Sequence, residues 1–299
     1  MRCNLNRQTI ALVAMTVTFV AAYPLWGANS NDKNDADSVH QQLEKLEQTL
    51  NGRLGVFALD TGNGAQINYR AKEQFPVCST FKVLLAAAIL DKCAKNPALM
   101  QQPVRYTQKD IVFHSPVTER HVHDGMTVSE LLDAALKYSD NTATNLLMKI
   151  AGGPAAVTTF ARSIGNHEFR LDSWEPNLNT APNDLRDTST PEAMGRTLQQ
   201  IVLGDVLKGS HLKKLREGLL GNTVAPNCIR AGVPSGWKVG DRSGGGTYGS
   251  RNDIAVLWPP HRAPIILAIY TTQRKKEAPP RDDVIASASR IIVNWAGKQ

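Results

Sequence analysis

The sequence predicts an α+β fold: an antiparallel sheet flanked by N- and C-terminal helices, with an all-helical segment inserted between its strands. Three observations lead there. Strand patterns cluster toward both ends of the chain, helical periodicity fills the middle, and short turn signals separate successive strands. Residues 29–75 and 222–299 are expected to form the sheet unit, and residues 76–221 the helical one. The composition agrees, since 42% hydrophobic and 20% charged residues over 299 positions are globular values. They exclude disorder, a collagen-like repeat and a disulfide-dense miniprotein.

The elements follow in order. Val39, Leu43, Leu46 and Leu50 recur at helical spacing over Ser38–Leu50. Arg53–Leu59 and Ala65–Tyr69 read as strands around the turn residues Asp60-Thr-Gly-Asn-Gly. Ser79–Lys95 reads as one Ala- and Leu-rich helix. Thr127 and Glu130 form a capping box ahead of Val128, Leu131, Leu132, Ala135 and Leu136. Asn141–Ala151 stays helical until Gly152-Gly153-Pro154 stops it. Thr190-Pro191 and Ser210 are expected to cap two further helices, ending at Gly204 and Gly221. Trp237–Asp241, Asn252–Trp258 and Ile265–Thr271 read as strands, and Asp282–Trp295 as a closing helix.

Residues 1–28 stand apart as a signal peptide. Arg2 and Arg7 precede an apolar run from Thr9 to Ala22, then come a Tyr-Pro break and the small residues Gly27 and Ala28. An uncleaved anchor helix is the alternative. Cleavage would leave 271 residues, lower the formal charge from +7 to +5, and send a chain with no stable membrane anchor to the periplasm or the medium. The basic residues form no block interleaved with aromatics, so no nucleic-acid partner is expected. Three cysteines remain, Cys78, Cys93 and Cys228, so at least one thiol is free. On one helix Cys78 and Cys93 would lie roughly 22 Å apart and could not pair. Pairing of either with Cys228 stays open.

Ser-x-x-Lys occurs four times, so the match alone says little. Ser79/Lys82 differs in setting, at the head of the most apolar helix, with the two side chains one turn apart on one face. A helix N-terminus favours developing negative charge, and a partly buried amine can act as a base. An N-cap serine beside a surface lysine is the plainer alternative. Three more elements shift that balance: Ser139-Asp140-Asn141 at a helix junction, Arg242-Ser243-Gly244 at a strand end, and Glu175 with Asn179 in a long polar loop over 170–187.

In this order and on these elements, the chain resembles the class A serine β-lactamases of the penicillin-recognising superfamily. The resemblance runs from about Ser38 to the C-terminus. Its most specific stretch is Trp174-Glu-Pro-Asn-Leu-Asn179 with Arg186-Asp187-Thr188, joined by Ser115–His121 and Asn252–Trp258. It implies a β-lactamase/transpeptidase-like fold and hydrolysis of small-molecule β-lactams by a monomer without cofactor or metal. It implies that Ser79 attacks the lactam carbonyl, with the N–H groups of Ser79 and Gly245 as oxyanion hole. Lys82, or Glu175 through a water, takes the serine proton. Ser139 relays a proton to the ring nitrogen, and Glu175 with Asn179 holds the deacylating water. Asn141 meets the substrate side-chain amide. Arg242, Ser243, Gly244 and Arg251 form the carboxylate end of the site. His114 is either a rim contact or an exposed loop residue.

Two departures stand out. Arg242 replaces the lysine of most members, as in the carbenicillin-hydrolysing subgroup, and Arg cannot release its proton to a relay. Ser173 stands where many members have an arginine paired to the aspartate that matches Asp187, in a loop one residue short. A differently anchored loop that admits bulky cephalosporin side chains is the expectation. The rival readings are a D-alanyl-D-alanine peptidase, which lacks the Glu-x-x-x-Asn loop, and a β-lactam sensor acylated at Ser79. A zinc hydrolase built on His121-Val-His-Asp124 lacks a second ligand cluster, and Gly244-Gly245-Gly246 lacks the Lys-Ser/Thr of a phosphate loop.

Overall fold

The computed structural model describes residues 30–298; the expected export segment, residues 1–28, lies outside the described residues. The chain runs α1 (Ser30–Gln48), β1 (Gly52–Asp60), β2 (Gln66–Tyr69), β3 (Phe75–Pro76), α2 (Lys82–Lys95), β4 (Pro103–Val104), β5 (Met126–Thr127), α3 (Val128–Tyr138), α4 (Asn141–Ala151), α5 (Pro154–Ser163) and β6 (Thr188–Ser189). It continues through α6 (Pro191–Val202), α7 (Gly209–Leu220), β7 (Lys238–Gly245), β8 (Arg251–Trp258), β9 (Ile265–Gln273) and α8 (Asp282–Ala296). This is an α+β fold built on one five-stranded antiparallel sheet of order β2-β1-β9-β8-β7.

The sheet joins the two ends of the sequence, because β1 pairs with β9 from Gly52↔Gln273 to Asp60↔Ile265. Both of its faces are covered, which is why the central strands β1, β9 and β8 read as near-continuous apolar runs. Leu54, Val56 and Ala58 of β1 pack with Leu267 and Ile269 of β9 under α1 and α8, on Leu43, Val284, Ile292 and Trp295. The alternate residues, Phe57, Leu59, Ile266 and Ala268, face the helical core around α2. That helix is apolar on every side, with Val83 to Leu90 all buried, as suits the centre of a core.

Three details differ from the periodicity. Ser79 is not on the α-helix: Cys78–Phe81 is a 3₁₀ turn, and α2 begins at Lys82. Ser210 is not a cap; Lys208 is the N-cap of α7, and the cap makes no side-chain hydrogen bond. Helix α5 was hidden by Gly152-Gly153-Pro154. Gly152, at φ +112°, ends α4, and Pro154 then occupies the first turn of a new helix, so one tripeptide both stops and starts. Cys78, Cys93 and Cys228 are all buried and free, which closes the question of a pairing with Cys228.

Candidate active site

Four segments meet at a cavity of about 420 Å³, whose walls include Ser79, Ser139, Asn141, Glu175, Ser243 and Arg251. The 3₁₀ turn brings Ser79 in, and it is held from behind. Asn252 Nδ2 on β8 donates to the carbonyls of Pro76 (2.6 Å) and Val77 (3.3 Å). Strand β7 crosses so close that a Cβ on Gly244 would sit 2.5 Å from the Ser79 nitrogen. Only glycine permits that approach.

The junction of α3 and α4 supplies Ser139 and Asn141. Ser139 caps α3 in the left-handed region at φ +58°, and Asp140 caps α4 by accepting from Ala143 N at 2.8 Å. Asp140 also takes the N–H groups of Val117 and Thr118, both at 2.9 Å. A buried carboxylate thus fixes the turn that aims its two neighbours.

Lys82, on the first turn of α2, is fully buried and meets all of these groups. Its Nζ donates to Ser139 O (2.9 Å), Ser139 Oγ (3.1 Å) and Asn141 Oδ1 (2.6 Å), and stands 3.1 Å from Glu175 Oε1. Burial pushes its amine down to about 8; Glu175 pulls the other way and the Arg242 charge adds to the fall. Ser79 Oγ donates to the same Glu175 Oε1 at 3.3 Å. One carboxylate oxygen therefore touches a hydroxyl that can attack and an amine that can pass a proton on. The Cys78 thiol beside Ser79 is pushed up to about 12 by burial and is no competing nucleophile at neutral pH.

The family model described as the Beta-lactamase enzyme family matches residues 38–296. The chain is 48% identical over 263 residues to β-lactamase SME-1 of Serratia marcescens, covering 87% of this chain and 90% of that protein. It is 47% identical over 279 residues to β-lactamase CTX-M-97 of Escherichia coli, covering 93% and 96%. The crystal structure of a β-lactamase from Desulfarculus baarsii superposes with a TM-score of 0.86 at 49% identity, over 88% of this chain and 98% of that one. The chain belongs to the class A β-lactamase family.

Within this class A β-lactamase fold, two of the expected binding residues are placed differently. Arg242 does not line the cavity. Its side chain is wholly buried behind Ser79, with long contacts from Nε to Ser79 O (3.4 Å) and from Nη1 to Leu136 O (3.4 Å) and Asn222 Oδ1 (3.3 Å). Burial lowers its guanidinium to about 10. The cation that does reach the cavity is Arg251, gripped by Asp282 through Nε–Oδ1 at 2.6 Å. Next to it Ser243 Oγ is buried without a hydrogen-bond partner. Asn179 is also turned away: its Nδ2 donates to Arg186 O and its Oδ1 accepts from Ala181 N, so the side chain is committed to the loop's own backbone. His114 does line the rim, at φ +60°, beside the 82%-exposed Phe113. His121, His123 and Asp124 are exposed, and among the described residues no three potential metal ligands gather.

Sequence reasoning missed Asn145. From α4 its Oδ1 accepts the Glu175 N–H (3.0 Å) and its Nδ2 donates to the Glu175 carbonyl (2.9 Å), clamping the residue at the heart of the β-lactamase site. It also missed how the loop closes without an arginine at Ser173. Asp187 Oδ1 takes the N–H groups of Asp172 (2.7 Å) and Ser173 (2.9 Å), and Oδ2 takes that of Asn179 (2.8 Å). Main-chain donors hold the buried carboxylate in place of the ion pair that Ser173 cannot make.

Proposed function

We propose that the chain opens the β-lactam ring of penicillins and cephalosporins by way of an acyl-enzyme on Ser79, and so gives resistance to them. The observation that carries this reading is Glu175 Oε1 in contact with both Ser79 Oγ and Lys82 Nζ. In acylation Ser79 Oγ bonds to the lactam carbonyl carbon while its proton passes to Glu175. The carbonyl oxygen gathers charge facing the N–H groups of Ser79 and Gly245. When the C–N bond breaks, the ring nitrogen takes the Ser139 hydroxyl proton. Lys82 Nζ, 3.1 Å from that hydroxyl, replaces it and is itself recharged from Glu175. In deacylation water gives its proton to Glu175 and attacks the ester carbon; as the ester C–O bond breaks, Glu175 returns that proton to Ser79 Oγ, which leaves as a hydroxyl.

Arg251 and Ser243 would bind the substrate carboxylate, and Arg242 would act on it only as a buried charge behind Ser79. Asn141 keeps one amide N–H for the substrate side chain, since Nδ2 spends the other on Phe113 O at 2.9 Å. Asn179 shapes the loop that carries Glu175. The Arg-Ser-Gly triplet resembles the carbenicillin-hydrolysing subgroup, which adds carboxypenicillins to the expected substrates. The loop closed on Asp187 without an arginine would admit oxyimino-cephalosporins. The two units, 29–75 with 222–299 and 76–221, would then flank the cavity of an exported monomer. No helix among the described residues is long and apolar enough to cross a membrane. Hydrolysis of a chromogenic β-lactam, lost in Ser79→Ala and indifferent to a chelator, tests the reaction. Zinc dependence would overturn it.

A further inference from the structure

A second cavity, of about 470 Å³ against about 420 Å³ at Ser79, opens between one face of α6, the segment after α5 and the turn joining β2 to β3. It shares no lining residue with the site at Ser79. Part of its wall is polar, buried and fixed. Asn166, 4% exposed, accepts the N–H groups of Glu168 (3.1 Å) and Phe169 (2.9 Å) at Oδ1, and its Nδ2 donates to Thr197 Oγ1 at 2.8 Å. Thr190 Oγ1 accepts from Ala193 N at 3.1 Å. Thr190 and Thr197 are both buried and both line the cavity, and neither hydroxyl donates to any described residue. Each therefore keeps a proton for an acceptor.

The charges around this wall balance. Arg196 spends its guanidinium on Glu192 Oε1 (2.8 Å) and Gln66 Oε1 (3.2 Å). Lys72 and Glu168 also line the cavity, both exposed, and among the described residues neither has an ion-pair partner. Glu168 accepts from Gln74 Nε2 at Oε2 (3.0 Å) and keeps Oε1 free. A simple anion would be opposed by Glu168, and a simple cation by Lys72. A molecule with a carboxylate at one end and an ammonium at the other satisfies both, and amide oxygens between them suit the two threonine hydroxyls. We propose that this cavity is a binding site for a short zwitterionic peptide. Its carboxylate meets Lys72, its ammonium meets Glu168, and its amide oxygen accepts from Thr190 or Thr197. The site is independent of the reaction at Ser79.

The probe is dialanine, titrated into the full chain and followed by amide chemical shifts, beside N-acetyl-dialanine and dialanine amide. Dialanine should shift the amides of residues 165–168 and 192–200. Blocking either end should weaken binding about 2- to 5-fold, the range for an exposed ion pair. Glu168→Gln and Lys72→Met, at exposed positions, should each weaken dialanine by a similar factor. Acetylation should then cost nothing more in Glu168→Gln, and amidation nothing more in Lys72→Met, because each pair of changes removes the same contact. Free alanine, with no amide oxygen for the threonines, should bind more weakly; equal binding would overturn the peptide. No shift at millimolar dialanine, shifts confined to the surroundings of Ser79, or variants of unchanged affinity would overturn the site. Hydrolysis of a chromogenic β-lactam by the same samples reports separately on the reaction.

Discussion

Lys82 Nζ stands 3.1 Å from Glu175 Oε1, with the amine wholly inside the protein. As an ammonium it donates to Glu175 and to Ser139 Oγ together, and burial holds it near 8. If the ammonium is the working form, kcat/KM falls as pH rises through about 8; a rise there would make neutral Lys82 the base. The same shift acts on stability. The folded value lies below the ordinary 10.5, so between about 8 and 10.5 the unfolded chain binds more protons. Stability should therefore gain with pH across that window, and this gain should be missing in Lys82→Met. Denaturant titrations at stepped pH measure it.

Asn145 clamps both backbone groups of Glu175. Asn145→Ala leaves a buried N–H and C=O unpaired and should cost about 1–3 kcal/mol of stability, with deacylation slowed more than acylation. Asn145→Asp keeps only the bond from the Glu175 N–H and should fall between the two. Unfolding midpoints with single-turnover kinetics separate the effects.

Gly244 lets β7 pass against the Ser79 turn, and the Cβ of an alanine would meet the Ser79 nitrogen at 2.5 Å. Because the obstacle is backbone, Gly244→Ala should move Ser79 or the strand, destabilising by about 1–3 kcal/mol and cutting the acylation rate by orders of magnitude. A variant of unchanged rate would show that β7 can yield without disturbing the site.

How much of this was legible in the sequence depended on whether a residue acts through its neighbours in the chain. Ser79/Lys82, Ser139-Asp140-Asn141 and Thr127/Glu130 each lie within one turn or junction; Thr127 and Glu130 cap each other as their spacing suggested, Ser79 and Lys82 meet on Glu175 Oε1, and Ser139 and Asn141 meet on Lys82. The central strands β1, β8 and β9 announced themselves because burial on both faces demands apolar runs, whereas the edge strand β7, KVGDRSGG, was read only over its first half. Long-range choices were not legible. Asn145 is one polar residue on an amphipathic helix until Glu175 arrives from 30 residues away. Arg242 looked like a substrate-binding cation, but packing turns its guanidinium behind Ser79, and Arg251 is aimed by Asp282, 31 residues on. Helix α5 was lost because Gly-Pro has one appearance for two opposite jobs.

Ser173 leaves Asp187 to main-chain donors alone. Ser173→Arg adds a cation at that neck, and should tighten the loop and slow oxyimino-cephalosporin turnover relative to benzylpenicillin. Hydrolysis of the oxyimino drug no faster in the wild type than in the variant would contradict the loop's assigned part in substrate choice. Replacing the carboxylate itself, Asp187→Ala, frees three part-buried N–H groups and should lower stability by about 1–3 kcal/mol.

Glu175 serves deacylation of a Ser79 ester in the proposed reaction, and mass spectrometry over time reads that step directly. Wild type and Glu175→Ala are mixed with a chromogenic β-lactam and the intact protein mass is followed. The expected result is rapid turnover without a lasting adduct in the wild type, and in Glu175→Ala, where Lys82 is left to take the serine proton and acylation is slowed but deacylation is blocked, a persistent one-to-one adduct mapping to the peptide of Ser79. A stable adduct on the wild type, or turnover by Glu175→Ala at the wild-type rate, would contradict it.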